Sequence, residues 1–465
     1  MEGEDFLDKE VLSMVERYEK MVRNKTNEYF DSETIDTIAE YYLEKNLPKK
    51  ALTAIEYGET LNTHYFGFKL KKAEIFLELE KYRSALLELE KAELYEPFNT
   101  ELFLLKGETW ICLNNYGEAE LSFENALSHS DERIDTLFEI AFIYEDKAMY
   151  EKAIFYFELI ISEQPDAEQA YYELTNCFDV LLQYDKSLET CQKLIDIDPY
   201  SAGAWYNLGI TYCKTGLYED AIEAFDYCLT VDEDFVVARF NKANCLVELE
   251  KLTEAIIEYN ITIERDGVDA ITYCNIAGCY ERLGENENAR EYYKKASSVN
   301  PNVAEAWFGM GITYEKEGKN KEALQFFKRA TFLEPDNGEF LLYLAETEYK
   351  LGKIEEAIEI YLKLTEIDPT IREAWLDWSF IRYNLKDIDG ATELMTEALK
   401  VEPDCHFFHY RIANYLFANG NNKEATHHLE TALILCFEDY YLLFEVMPEL
   451  MKNTEVMQLI ELYRK

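Results

Sequence analysis

The residues best suited to chemistry are few. Cys405, His406 and His409 stand close together and offer a thiol and two imidazoles, donor types that zinc takes. His409, however, shares a 34-residue phase with Trp205 and Trp307, so a packed core position accounts for it and no metal is expected. His427 and His428 are adjacent; neighbours on a helix point about 100° apart, and both read as surface residues. The ten cysteines lie at scattered phases without the spacing of a disulfide framework, which points to reduced thiols. Carboxylate pairs say little about acid–base catalysis where Asp and Glu total 92. Phosphate-cradling glycine loops, zinc-protease helices and nucleophile elbows are absent from the sequence. The expectation is a protein that is not an enzyme and uses no cofactor.

What does recur is a set of amides and rings. Asn207, Asn241 and Asn275 are spaced by 34 residues, and Asn176 and Asn244 share a second phase three residues later. An Asn side chain carries a carbonyl acceptor and two N–H donors, so a row of them can bond an extended backbone without reading its side chains. One residue before the first phase, on the same period, lie Phe138, Tyr172, Tyr206, Phe240, Phe308 and Tyr410.

These residues need elements of the same period to position them. Pro97, Pro165, Pro199, Pro301, Pro335, Pro369 and Pro403 are separated by multiples of 34 residues. Alanine holds one phase from Ala51 to Ala425, broken only by Ser187, and a second phase is always small, from Ala39 through Gly209 and Gly311 to Ala413. Large rings such as Phe225, Tyr259 and Phe327 follow the alanine by four residues. Apolar residues at helical spacing lie between, and each period encodes two packed helices. Cys177, Cys245 and Cys279 share a phase with Thr211, as a small-residue packing slot would. Turns are predicted near Gly216, Gly284, Gly318, Gly352 and Gly420, where glycine suits the left-handed residue that ends a helix.

The segment 202–235, with Trp205, Leu208, Gly209, Tyr212, Ala221 and Phe225, and the segment from 304, with Trp307, Gly311, Tyr314, Ala323, Phe327, Ala330 and Pro335, resemble the tetratricopeptide-repeat (TPR) family. In register the resemblance gives twelve repeats over residues 32–439. It implies an all-α, right-handed superhelical solenoid of about twelve helix pairs. Residues 1–31 are then an N-terminal capping helix, with Val11, Val15, Tyr18 and Val22 on one stripe, and residues 440–465 C-terminal capping helices.

The resemblance also implies that the first helix of each pair lines a concave groove that holds a partner peptide. The asparagines then form a ladder similar to that of the TPR superhelix in the GlcNAc-transferring glycosyltransferase, floored by Tyr172, Tyr206, Phe240 and Phe308. On the implied groove positions of repeats 1–5 stand fourteen carboxylates, among them Asp36, Glu40, Glu74, Glu108, Glu139, Glu145 and Glu173, against Lys71 alone. That exceeds the whole-chain ratio of 92 acids to 46 bases, so the expected partner segment is basic where it meets repeats 1–5. A solvated acidic face is the alternative. A net charge of −46 repels phosphate backbones and anionic lipid, which argues against nucleic acid and membrane as partners. The acidic start and the lack of a long apolar run lead to a cytoplasmic expectation. The function expected is a scaffold or adaptor. The other reading is a structural protein that self-assembles into homo-oligomers through its apolar tail, with Leu442, Leu443, Phe444, Leu450, Leu459, Ile460, Leu462 and Tyr463.

Overall fold

The computed structural model describes residues 4–464, with side chains from residue 10 onward. The first three residues of the expected N-terminal segment and Lys465 lie outside the described residues. Among those described, every regular element is a helix. The chain divides into two compact units, Met1–Asp232 and Glu233–Lys465, and each carries six helix pairs. The first unit runs from the pair Ser32–Glu44 and Pro48–Leu61 to the pair Ala202–Lys214 and Tyr218–Val231. The second runs from Val236–Glu248 and Leu252–Asp266 to His406–Ala418 and Asn422–Leu435. We call the first helix of each pair A and the second B.

One backbone device closes every A–B turn. The residues at 46, 80, 114, 148, 182, 216, 250, 284, 318, 352, 386 and 420 all have positive φ, from 54° to 80°. The amide after each one bonds the carbonyl five residues back, as in Leu47 N to Tyr42 O at 2.7 Å and Leu217 N to Tyr212 O at 3.0 Å. This is the six-to-one bond that satisfies an orphan carbonyl at a helix end. Five of these positions are the glycines expected to form turns. The others carry Asn, Glu, Ala, Leu or Lys in the same conformation, so tertiary register holds the turn even where the side chain disfavours it.

Helix A meets helix B across the small phase. A Cβ added at Gly209 would lie 2.6 Å from the Phe225 ring, and one at Gly311 would lie 2.4 Å from Phe327. Ala221 and Ala323 are fully buried in the same slots. The one departure from alanine, Ser187, is also fully buried, and its hydroxyl lies 3.0 Å from that of Thr211. The polar atom therefore has its partner built in. Cys177, Cys245 and Cys279 are buried in the slot predicted for them.

Consecutive repeats are tied by a side chain at the fourth residue of helix A reaching back to a carbonyl just before it. The Trp205, Trp307 and Trp375 indoles donate to the Pro199, Pro301 and Pro369 carbonyls at 2.9, 3.0 and 2.9 Å. Tyr171 donates in the same way to Pro165 O at 3.2 Å.

At the N-terminal end, helix Glu4–Asn24 packs Val15, Tyr18 and Met21 into the core of the first pair. Val22, expected on that stripe, is instead 49% exposed. From Tyr18 the apolar stripe continues three residues on, through Met21, and leaves Val22 facing solvent. At the other end Leu443, Phe444, Leu450, Val456 and Ile460 form one core with Tyr410, Leu429 and Leu433 of the last pair. Most of the tail's apolar side chains are thus used within the chain, while Leu462 stays 77% exposed.

Candidate functional site

In the first unit the A helices place the acidic residues of repeats 1–3 around a pocket of about 690 Å³ lined by Asp36, Glu40, Tyr65, Lys71 and Glu101 among others. Lys71 is already committed, with Nζ 3.2 Å from Glu40 and 2.9 Å from Glu74. Tyr65 donates to one oxygen of Asp36 at 3.4 Å, and the other oxygen is buried without a hydrogen-bond partner. Burial, helped by Glu40 and Glu101 and opposed by Lys71, pushes the Asp36 carboxyl up to about 6. Glu101 is raised by burial and by Glu74 and Glu139. Further along, Lys147 neutralises Glu108 at 2.8 Å, whereas Glu145 is raised by burial and by Glu173 and Asp146. Glu139 is exposed and Glu173 half-buried. The face thus carries more negative charge than its own lysines balance, and its carboxylates raise one another's proton affinity.

The amides behave differently from a simple ladder. Asn176 is exposed and donates to Glu173 at 3.2 Å. Asn207 is half-buried in the first unit, while Asn241, Asn244 and Asn275 belong to the second. There the Tyr259 hydroxyl, from helix B, donates to Asn244 Oδ1 at 2.5 Å, and Asn275 also bonds that hydroxyl. Asn244 Nδ2 in turn lies 3.5 Å from Asn241 Oδ1. Part of the expected peptide-bonding capacity is therefore spent internally on one buried phenol. Nothing in the A-helix pattern signals this, because the partner comes from the other helix.

The rings also divide. Tyr172 hydrogen-bonds Glu168, and its hydroxyl lies 3.1 Å from Ser201 Oγ, which caps the next A helix. Tyr206 and Phe240 are half-buried against Phe225 and Tyr259, at ring distances of 6.0 and 5.6 Å. Phe308, with Asn275, lines a second pocket of about 730 Å³ in the second unit. Its ring sits 4.5 Å from Phe340 and 5.2 Å from Tyr343. Glu281, Glu305, Glu339 and Lys316 ring that apolar floor, and Glu281 is shared by Lys316 Nζ at 2.9 Å and the Tyr293 hydroxyl at 3.0 Å. Burial and Glu346, opposed by Arg411, also push Asp377 up to about 6. So strong a departure was invisible in a chain with acids at every turn.

The suspected cluster at 405–409 comes apart. Cys405 is buried at the N-terminal end of its helix. His409 fills the tryptophan register, with Nε2 3.3 Å from Pro403 O, as its phase predicts. His428 is not a surface residue: its Nδ1 lies 2.9 Å from His409 Nδ1, whereas His427 is exposed. Among the described residues the ten cysteines form no disulfide, and no helix is long and apolar enough to cross a membrane.

Sequence comparison identifies tetratricopeptide repeats over residues 206–270, 268–331 and 315–376. Residues 206–376 are thus tetratricopeptide repeats. Residues 146–228 match a family described as anaphase-promoting complex, cyclosome, subunit 3. No curated protein matches the TPR chain. Among solved structures it is similar to MamA, at 25% identity over 36% of this chain and 97% of that one, with a TM-score of 0.34. A TPR protein from Parabacteroides merdae ATCC 43184 is 20% identical over 53% of this chain and 98% of its own, with a TM-score of 0.39. YrrB, described as a TPR protein with an unusual peptide-binding site, is 21% identical over 39% and 93%, with a TM-score of 0.34.

Proposed function

We propose that this TPR protein is a non-enzymatic interaction scaffold whose first unit binds a basic, extended segment of a partner protein along the A helices of repeats 1–5. The tetratricopeptide repeats support the scaffold itself. The finer reading rests on one observation: Asp36, half-buried beside Glu40 and Glu101, is held near pKa 6 with one oxygen lacking a partner. A lysine or arginine side chain entering the pocket would supply the counter-charge and donors that Lys71 does not. In the second unit, Asn275 and Phe308 offer a second contact, an amide above an apolar floor, where a partner side chain can be buried. The helix Glu4–Asn24 and the segment 440–465 act as end caps, which the packing of their apolar faces onto the terminal pairs supports.

The test is a fluorescence-anisotropy titration of a Lys/Arg-rich peptide and its Glu-rich counterpart against the full chain at several salt concentrations. Binding of the basic peptide alone, weakening as salt rises, is expected. Equal binding of both peptides, or affinity indifferent to salt, would mean that the carboxylates only solubilise the repeats.

A further inference from the structure

The last helix pair and the turn that follows it bring His406 together with two donors some thirty residues further along the sequence, Cys436 and Asp439. His406 opens the A helix His406–Ala418, Cys436 ends the B helix Asn422–Leu435, and Asp439 sits in the short 3₁₀ turn Glu438–Tyr441. Their ligand atoms all lie within 4.8 Å of one another. His406 Nε2 is 2.9 Å from Asp439 Oδ2, and Cys436 Sγ is 3.5 Å from the same oxygen. Tetrahedral zinc, with bonds of about 2.0–2.3 Å, sets its donors roughly 3.3–3.8 Å apart. The sulfur–oxygen separation already fits, and the nitrogen–oxygen separation needs to open by about half an ångström, within reach of side-chain rotation. All three residues are half-buried. The His406 ring is held 4.1 Å from Phe407, and Tyr410 donates to the Cys436 carbonyl at 2.8 Å, which fixes the loop that carries the thiol.

We propose that His406 Nε2, Cys436 Sγ and Asp439 Oδ2 form a zinc site with one coordination position open to water. The ion takes the place of the proton between His406 and Asp439 and binds Cys436 as thiolate. The three ligands come from the A helix, the end of the B helix and the following turn, so the ion clamps residues 436–441 onto the last repeat and, through them, the tail core built on Leu443 and Phe444. Of the sequence neighbours Cys405, His406 and His409, from which no metal was expected, only His406 takes part, because Cys405 is buried in the core and His409 is occupied by Pro403 and His428.

The experiment uses the full chain, stripped with a chelator and titrated with Co²⁺ as a spectroscopic stand-in. We expect a thiolate-to-cobalt charge-transfer band saturating at one ion per chain and bleached by Zn²⁺. Cys436→Ser should remove the band, and Asp439→Asn should weaken cobalt binding at least about tenfold, both with helical circular dichroism unchanged. Zn²⁺ should also raise the melting temperature of the wild type but not of Cys436→Ser. If no charge-transfer band forms, His406 and Asp439 are a hydrogen-bonded pair and no more. A band that persists in Cys436→Ser would place the ion on another of the ten cysteines. Either result overturns the proposal.

Discussion

His409 Nδ1 faces His428 Nδ1 at 2.9 Å, while His409 Nε2 faces the Pro403 carbonyl at 3.3 Å. A carbonyl only accepts, so Nε2 of His409 carries the proton and its Nδ1 accepts from His428 Nδ1–H. Charging His409 would put a second N–H at its Nδ1, directly against that of His428. Burial first, then repulsion from His409 and His427, lowers His428 to about 4; His409 is lowered as well, chiefly by burial.

Because these folded-state values lie below the ordinary 6.5, the unfolded chain binds more protons between pH 6.5 and 4 and stability falls as pH drops through that window. Discounting for partial exposure, we expect His428 to account for about 1–2 kcal/mol of that loss. The check is the difference between wild type and His428→Asn in urea melts at pH 7 and pH 5, which cancels the many carboxylates common to both. A difference that does not change with pH would mean that the pair is not held neutral.

The A–B turns give a second prediction. Leu182 sits at φ 57° and is 70% exposed, so it adopts a left-handed backbone with no packing to compensate, whereas Gly216 occupies the same register at φ 76°. Leu182→Gly should be neutral or stabilise by up to about 1 kcal/mol, and Gly216→Ala should destabilise by about 1 kcal/mol. Denaturation midpoints of the two variants should move in opposite directions or, at the least, not together.

The close approach of helix A to helix B makes the sign of a Gly→Ala change depend on register. Gly278 and Gly311 lie within A helices, but an added Cβ meets nothing within 4 Å at Gly278 and meets Phe327 at 2.4 Å at Gly311. Gly278→Ala should stabilise by about 0.5–1 kcal/mol through helix propensity. Gly311→Ala and Ala323→Leu should each destabilise by about 1–3 kcal/mol by overfilling one slot. Melts in which both glycine variants gain stability would refute the packing assignment.

How much of this was legible follows from what each feature depends on. The helix pairs, the small slot and the five glycine turns repeat every 34 residues, and periodicity exposes anything the backbone must do twelve times. The left-handed residues at Glu80 or Leu182 share the conformation but not the residue type, so only register reveals them. Single-copy relationships were not visible: Tyr259 reaches across from helix B to Asn244, and His406 meets Cys436 and Asp439 through the turn at the very end of the last repeat. Val22 was misplaced because a stripe on a helix of 3.6 residues per turn drifts, and Met21 continued it.

Asp36 carries the most informative prediction, because stability and binding should move in opposite directions. Its carboxyl is held near pKa 6, above the ordinary 3.8, so its ionised form is disfavoured in the folded chain. Its destabilising effect is absent below pH 3.8, grows between pH 3.8 and about 6, and is complete above that. Removing the charge in Asp36→Asn should therefore raise stability at pH 7.5, by about 1 kcal/mol after allowing for partial exposure and the remaining Lys71. The same charge is what a cationic peptide would use. Binding of a Lys/Arg-rich peptide should weaken as pH falls from 7.5 to 5.5, since protonation of Asp36 removes its attraction, and Asp36→Asn should bind weakly at both pH values with a flatter pH profile. Anisotropy titrations and thermal melts on the same two proteins decide it. A variant that gains stability yet binds the peptide as tightly as wild type would separate the strained carboxylate from binding, and the basic-partner reading would lose its main support.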